Sequence, residues 1–153
     1  MSETVTVDLD RALGDTRPLW DAFLADAARR FAAIAPLDPA SLPHDRRAAA
    51  RRLDEWAANG VGDWRRALTR FAEDHAPVYL RPDPGANSAL RVLRRRGARV
   101  VATTDAPEEL ARVALAHLGL SRSVDALEPP SAGAAPIAST AELARAAGYH
   151  ERP

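Results

Sequence analysis

The stretch Val5-Thr6-Val7-Asp8-Leu9-Asp10-Arg11-Ala12-Leu13-Gly14-Asp15-Thr16 constrains this chain more than any other. A β-branched run over about residues 4–9 reads as a strand, and it ends in two aspartates one residue apart before the chain turns. Side chains alternate along a strand, so Asp8 and Asp10 are expected on one face. At the C-terminal end of a parallel strand that face opens into the crevice where open α/β sheets bind ligands. One carboxylate there can attack an electrophile while its neighbour moves a proton. Asp-x-Asp at a strand end also has a plainer reading, because aspartate is a favoured turn residue.

Helical periodicity follows. From Pro18, a good first-turn residue, the positions Trp20, Phe23, Leu24, Ala27, Phe31 and Ile34 predict a helix to about residue 35. Pro36, Pro39 and Pro43 break the chain. A second helix is expected from Asp45 to Ala58, with Leu53 and Trp56 apolar and Gly60 near its end, and a third from about Asp63, with Trp64, Ala67, Leu68 and Phe71 on one stripe. Residues 17–78 thus read as an all-helical insert with the three tryptophans in its core. Pro84-Gly85 opens a helix that stops at Gly97, with Arg94, Arg95 and Arg96 in its last turn, where they favour the helix dipole. Arg99 to Thr104 is the second strand, Pro107 to Gly119 frames another helix, and Val124 to Leu127 a short third strand. A loop from Pro129 to Pro136 leads to Ser139-Thr140-Ala141-Glu142, a capping box opening a helix that ends at Gly148. The alternation predicts an α/β fold, a Rossmann-like parallel sheet, with residues 1–16 and 79–153 as the core and 17–78 inserted.

Composition narrows the function classes. Acids and bases balance at 21 each, so no global field recruits nucleic acid or an acidic membrane. Pairs such as Arg46-Arg47 and Arg51-Arg52, and the Arg94–Arg96 run, read as solvated helix faces paired with nearby acids. No apolar run spans a bilayer, and no signal peptide is evident, so a cytoplasmic location is expected. Cysteine is absent, which removes thiolate metal sites. His44, His75, His117 and His150 fall in no ligand spacing and read as surface or packing residues. All 21 basic residues are arginine.

The segment from Asp8 to Thr16 resembles motif I of the haloacid dehalogenase (HAD) superfamily, Asp-x-Asp-Gly-Thr-Leu-x-Asp-Thr. Asp8, Asp10, Leu13, Asp15 and Thr16 are in register, with Arg11 and Ala12 where the family has Gly and Thr. Pro84-Gly85 to Leu120 resembles the family's next unit, and Thr104 matches motif II. The 17–78 insert lies where phosphoglycolate-phosphatase-like members carry a helical C1 cap. The resemblance implies Asp8 as nucleophile, Asp10 as acid/base and Thr104 as phosphate holder; Arg11 and Asp105 are further candidates at the substrate. It also implies Mg²⁺ and a small phosphorylated metabolite as ligands. For Asp105 and Glu108 the residues alone suggest capping of the following helix.

Two parts of the family pattern are missing. Motif III calls for a cation, and the aligned loop Glu128 to Pro136 has none; motif IV calls for acids after a further strand. The expected alignment puts Ala141–Gly148 on the helix after motif III, with Tyr149 to Pro153 as a linker toward a strand beyond the chain. The other makes Pro136–Thr140 the motif IV strand, again without acids. Two like charges about 4 Å apart repel by roughly 4 kcal/mol at an effective dielectric near 20, so an anionic ester facing Asp8 and Asp10 needs a compensating cation. Arg11 is expected to pair with Asp8 or Asp10 and close the site; the alternative is that it holds a phosphate or carboxylate. The chain is therefore expected to be a HAD-like protein that is catalytically impaired, binding a ligand or partner without a metal. The alternative is an active Mg²⁺ phosphatase, with metal on Asp8 and Asp10 and Arg11 or Arg122 replacing the lysine. If the chain stops before motif IV, the outer edge of strand 4–9 is open, and either the C-terminal segment or a second chain is expected to cover it.

Overall fold

Strand β1 (Thr4–Asp8) buries Val5 and Val7, and pairs in parallel with β2 (Arg99–Thr103), whose four residues after Arg99 are all buried as befits a central parallel strand. The register sets Val5 against Val100, Val7 against Ala102 and Asp8 against Thr103. A third parallel strand, β3 (Ala126–Glu128), pairs with β2, giving the order β1-β2-β3. The computed structural model describes residues 3–133 and 135–148. The fold is α/β, as the sequence predicts. His150 and the expected linker at Tyr149 to Pro153 lie outside the described residues.

Between β1 and β2 come four helices: α1 (Arg17–Arg30), α2 (Arg46–Ala57), α3 (Trp64–Tyr79) and α4 (Pro84–Arg95). The caps are sequence-local. Asp45, Asp63 and Asp83 each accept a backbone N–H from the first turn of the helix they precede. Helix α1 ends at Arg30, short of the expected residue 35, and Ile34 is exposed rather than on its buried stripe. Trp20, Trp56 and Trp64 are buried; Trp64 packs within 6.3 Å of Trp20 and 6.4 Å of Phe23, ring centre to ring centre. Their core is continuous with Val5, Val7 and Val100 of the sheet. Helix α5 (Glu108–His117) follows β2 and packs along α3. Gly97 and Gly119, after α4 and α5, take positive φ, and Ala98 and Leu120 donate back to Leu93 and Leu115 in the bonding of a left-handed helix stop.

The C-terminal part overturns the first of the two alignments. Ile137 forms a parallel bridge to Val7: Asp8 N–H donates to Ile137 O at 2.8 Å, and Ile137 N–H donates to Thr6 O at 2.9 Å. Ile137 therefore lies beside β1, as in the second alignment, and α6 (Thr140–Ala146) follows that position rather than preceding it. The reason is length. Residues 129–136 are too few for a helical crossover, which takes a dozen or more. The chain instead passes over the strand ends, where Pro130, Ser131 and Pro136 line a cleft. The outer side of β1 from Thr6 to Asp8 is thus bonded within the chain. Helix α6 is capped by Ser139 as expected, while the Glu142 carboxylate reaches Ala138 N–H, one residue before the cap.

Side chains tie the remaining corners. Asp125, just before β3, accepts Val100 N–H at 2.8 Å and pairs with Arg94. Arg96 donates to Ala147 O at 2.6 Å, at the end of α6. The arginine run is therefore partly structural. The Val100 N–H, with Arg94 adding to it, holds the Asp125 carboxyl below the usual carboxylate range. A depressed folded-state pKa stabilises the fold above the unfolded value of about 3.9, and that contribution is lost as pH falls through the folded value. Asp125→Asn is expected to lower stability at pH 7 by about 1–2 kcal/mol, with a smaller difference from wild type at pH 3, read by urea denaturation.

Candidate active site

At the C-terminal ends of β1 and β2 lies a cleft of about 550 Å³ lined by Asp8, Asp10, Arg11, Thr104 and Asp105, the site residues named from the sequence except Arg122. It sits where parallel α/β sheets place their ligands. The route by which Asp10 reaches it differs from expectation. Strand β1 ends at Asp8, and Leu9–Leu13 form one wide helical turn closed by Gly14 N–H donating to Leu9 O at 2.9 Å. The turn, not strand alternation, carries Asp10 to the cleft.

Asp10 is saturated. Its Oδ1 accepts Thr16 N–H at 2.8 Å and Thr16 Oγ1–H at 2.6 Å; its Oδ2 accepts Thr104 Oγ1–H and Arg46 Nη2–H, both at 2.8 Å. Thr16 precedes α1 but makes no side-chain cap to it, because its hydroxyl is turned to Asp10. Thr104 gives its one hydroxyl proton to Asp10 and accepts Ala106 N–H at 3.1 Å, so that proton is not free for a phosphoryl oxygen.

The cation of the site is Arg46, which the sequence reading placed on a solvated face. Its side chain is only 4% exposed. Nε donates to Asp105 Oδ1 at 2.9 Å, Nη1 to Thr16 Oγ1 at 2.7 Å, and the backbone N–H to Asp105 Oδ2 at 3.1 Å. Asp105 therefore sits on the N-terminus of α2, with its charge against the positive end of that helix, and does not cap α5 as expected. A signal was present. Arg46 leads the helical series Ala49, Ala50, Leu53 and Trp56, all buried, so its position belongs to the inward stripe of α2.

Arg11 does not make the expected side-chain pair. Its peptide N–H donates to Asp8 Oδ1 at 3.2 Å, while its guanidinium has no hydrogen bond or ion pair among the described residues. A strong competitor already occupies Asp10, and Asp8 keeps only the peptide contact. Arg17 also lines the cleft but is bound to Asp15 through two bonds of 2.8 and 2.9 Å, which hold the Asp15 carboxyl below its ordinary range. His44 lies exposed at the cleft. Arg122 is not among its lining residues.

The donor set does not suit Mg²⁺. The ion wants about six oxygens in near-octahedral array, yet both Asp10 oxygens are engaged and a guanidinium lies against one of them. No group of three or more His, Asp or Glu side chains that could hold a metal occurs among the described residues. Beside β1, where the second alignment places motif IV, stand Pro136, Ile137, Ala138 and Ser139.

No protein-family model and no curated protein matches the chain. Among solved structures it is similar to a protein named as a beta-phosphoglucomutase from Thermotoga maritima, at 18% identity and a TM-score of 0.48. It is also similar to a HAD phosphatase from Thermococcus onnurineus, at 21% identity and a TM-score of 0.47. Each match covers 83% of this chain and 61% of the other, so the chain spans under two thirds of the length of either. No helix among the described residues is long and apolar enough to cross a membrane.

Removing Arg46 leaves two acids without their counter-charge. Breaking a buried ion pair from one side typically destabilises by about 3–5 kcal/mol. Arg46→Ala is expected to lower unfolding free energy by about 3 kcal/mol, since Asp105 remains partly open to water. Adding Asp10→Asn should recover part of the loss, which equilibrium denaturation of the single and double variants measures.

Proposed function

We propose that this protein is a HAD-like domain whose acid pair has been turned from phosphoryl transfer to structure and ligand binding. The observation that carries the reading is the state of Asp10 and Thr104. The resemblance to motifs I and II gives them proton transfer and phosphate holding. Here both oxygens of the one and the hydroxyl of the other are bonded inside the protein. A general acid must reach the group it protonates, and Asp10 does so only if Thr16, Thr104 or Arg46 lets go.

Charge supports the same conclusion. Asp8 lines the cleft with no cation bonded to it among the described residues, so an approaching phosphate dianion meets repulsion there. Arg46 is spent on Asp10 and Asp105 and neutralises neither the nucleophile position nor a ligand. Losing one positioned electrostatic group commonly lowers a rate by ~10²–10³, and both the metal set and the lysine position lack theirs.

In this reading residues 17–78 act as a cap held shut on the core through Arg46, and the cleft under it admits a small ligand without converting it. The test is turnover of 4-nitrophenyl phosphate with and without Mg²⁺, for wild type and Asp8→Asn. The expected outcome is no difference between the two proteins. Metal-dependent release of nitrophenol that Asp8→Asn abolishes would establish an active phosphatase instead.

A further inference from the structure

The cleft is lined by three acids, Asp8, Asp10 and Asp105, and three arginines, Arg11, Arg17 and Arg46. Arg46 is shared by Asp10 and Asp105, which leaves one negative charge over in that trio, and Arg17 is bound to Asp15. Two side chains remain without an ionic partner among the described residues. Asp8 accepts only the peptide N–H of Arg11, and the Arg11 guanidinium is unpaired among the described residues. These two side chains are close in sequence and opposite in charge, yet they do not bond to each other. Both residues line the same cleft.

From this we infer that the cleft takes a small zwitterion, its ammonium on Asp8 and its carboxylate on Arg11. The inference rests on the ligand-binding reading of the same site. A ligand bearing one charge satisfies one of the two groups and meets the other as a like charge. A ligand bearing both signs satisfies both and adds no net charge to the cleft. The guanidinium offers two parallel N–H donors that match a carboxylate, while Asp8 is an acceptor only, which suits an ammonium. The volume of about 550 Å³ falls in the ordinary range for small-molecule sites. Pro130, Ser131 and Pro136 line the same space and contribute no charge.

The experiment is an NMR titration of the full chain, following backbone amide shifts at constant ionic strength. The probes are ω-amino acids from glycine to 6-aminohexanoate, with butanoate, butylamine and inorganic phosphate as single-charge controls. One chain length is expected to bind at least tenfold more tightly than every control, with shifts at Asp8, Arg11 and Thr104. Asp8→Asn should bring its affinity down to that of butanoate, and Arg11→Gln to that of butylamine. Arg11 is exposed, and asparagine at position 8 keeps the oxygen that accepts the Arg11 N–H, so both variants should keep the wild-type amide spectrum elsewhere. Phosphate or butanoate binding as tightly as the best amino acid, or no saturable shift with any zwitterion, would overturn the inference. The phosphatase assay reports separately on the non-catalytic reading, so a protein that neither cleaves phosphate esters nor binds amino acids fails only the present proposal.

Discussion

A guanidinium withdrawn from water must find partners for all five of its N–H groups or destabilise the fold by several kcal/mol. Arg46 makes four such bonds, to Asp10, Thr16 and Asp105, with Thr104 at the edge of reach at 3.5 Å. These partners come from the turn after β1, the start of α1 and the loop after β2. One side chain from α2 therefore determines how the helical insert meets the strand ends. It also decides which site groups stay available, because the atoms it engages are those a reaction would need. Buried ion pairs are weak sources of net stability, but breaking one from a single side is destabilising, so the arrangement specifies a geometry more than it adds to it.

The second constraint is the short path from β3 to Ile137. A parallel sheet normally returns each strand through a helix on one face. With eight residues between Glu128 and Ile137, the chain crosses over the strand ends instead, and the next strand position shrinks to one bridging residue. That contraction places uncharged residues over the cleft.

Much of the architecture was legible because it is local. Val5 and Val7, the aspartates at 45, 63 and 83, and the glycines at 97 and 119 act through neighbours a few residues away. The cleft was legible as a location, since Asp8 and Asp10 follow a strand and Thr104 follows another. Its wiring was not. Arg46 lies 36 residues from Asp10 and 59 from Asp105 along the chain, and no short-range rule couples them. Its place on the inward stripe of α2 was visible, but arginine is so seldom buried that residue type outweighed position. Arg11 misled for the opposite reason. It is near Asp8 and Asp10 in sequence, and the turn it sits in directs its side chain elsewhere.

Thr16 withholds its hydroxyl from the helix it precedes and gives it to Asp10. The first turn of α1 is met instead by Asp15, whose Oδ1 accepts the Arg17 N–H at 3.0 Å. The Thr16 hydroxyl gives its proton to Asp10 and takes one from Arg46. The residue that begins one helix is thus also a joint between the end of β1 and the start of α2.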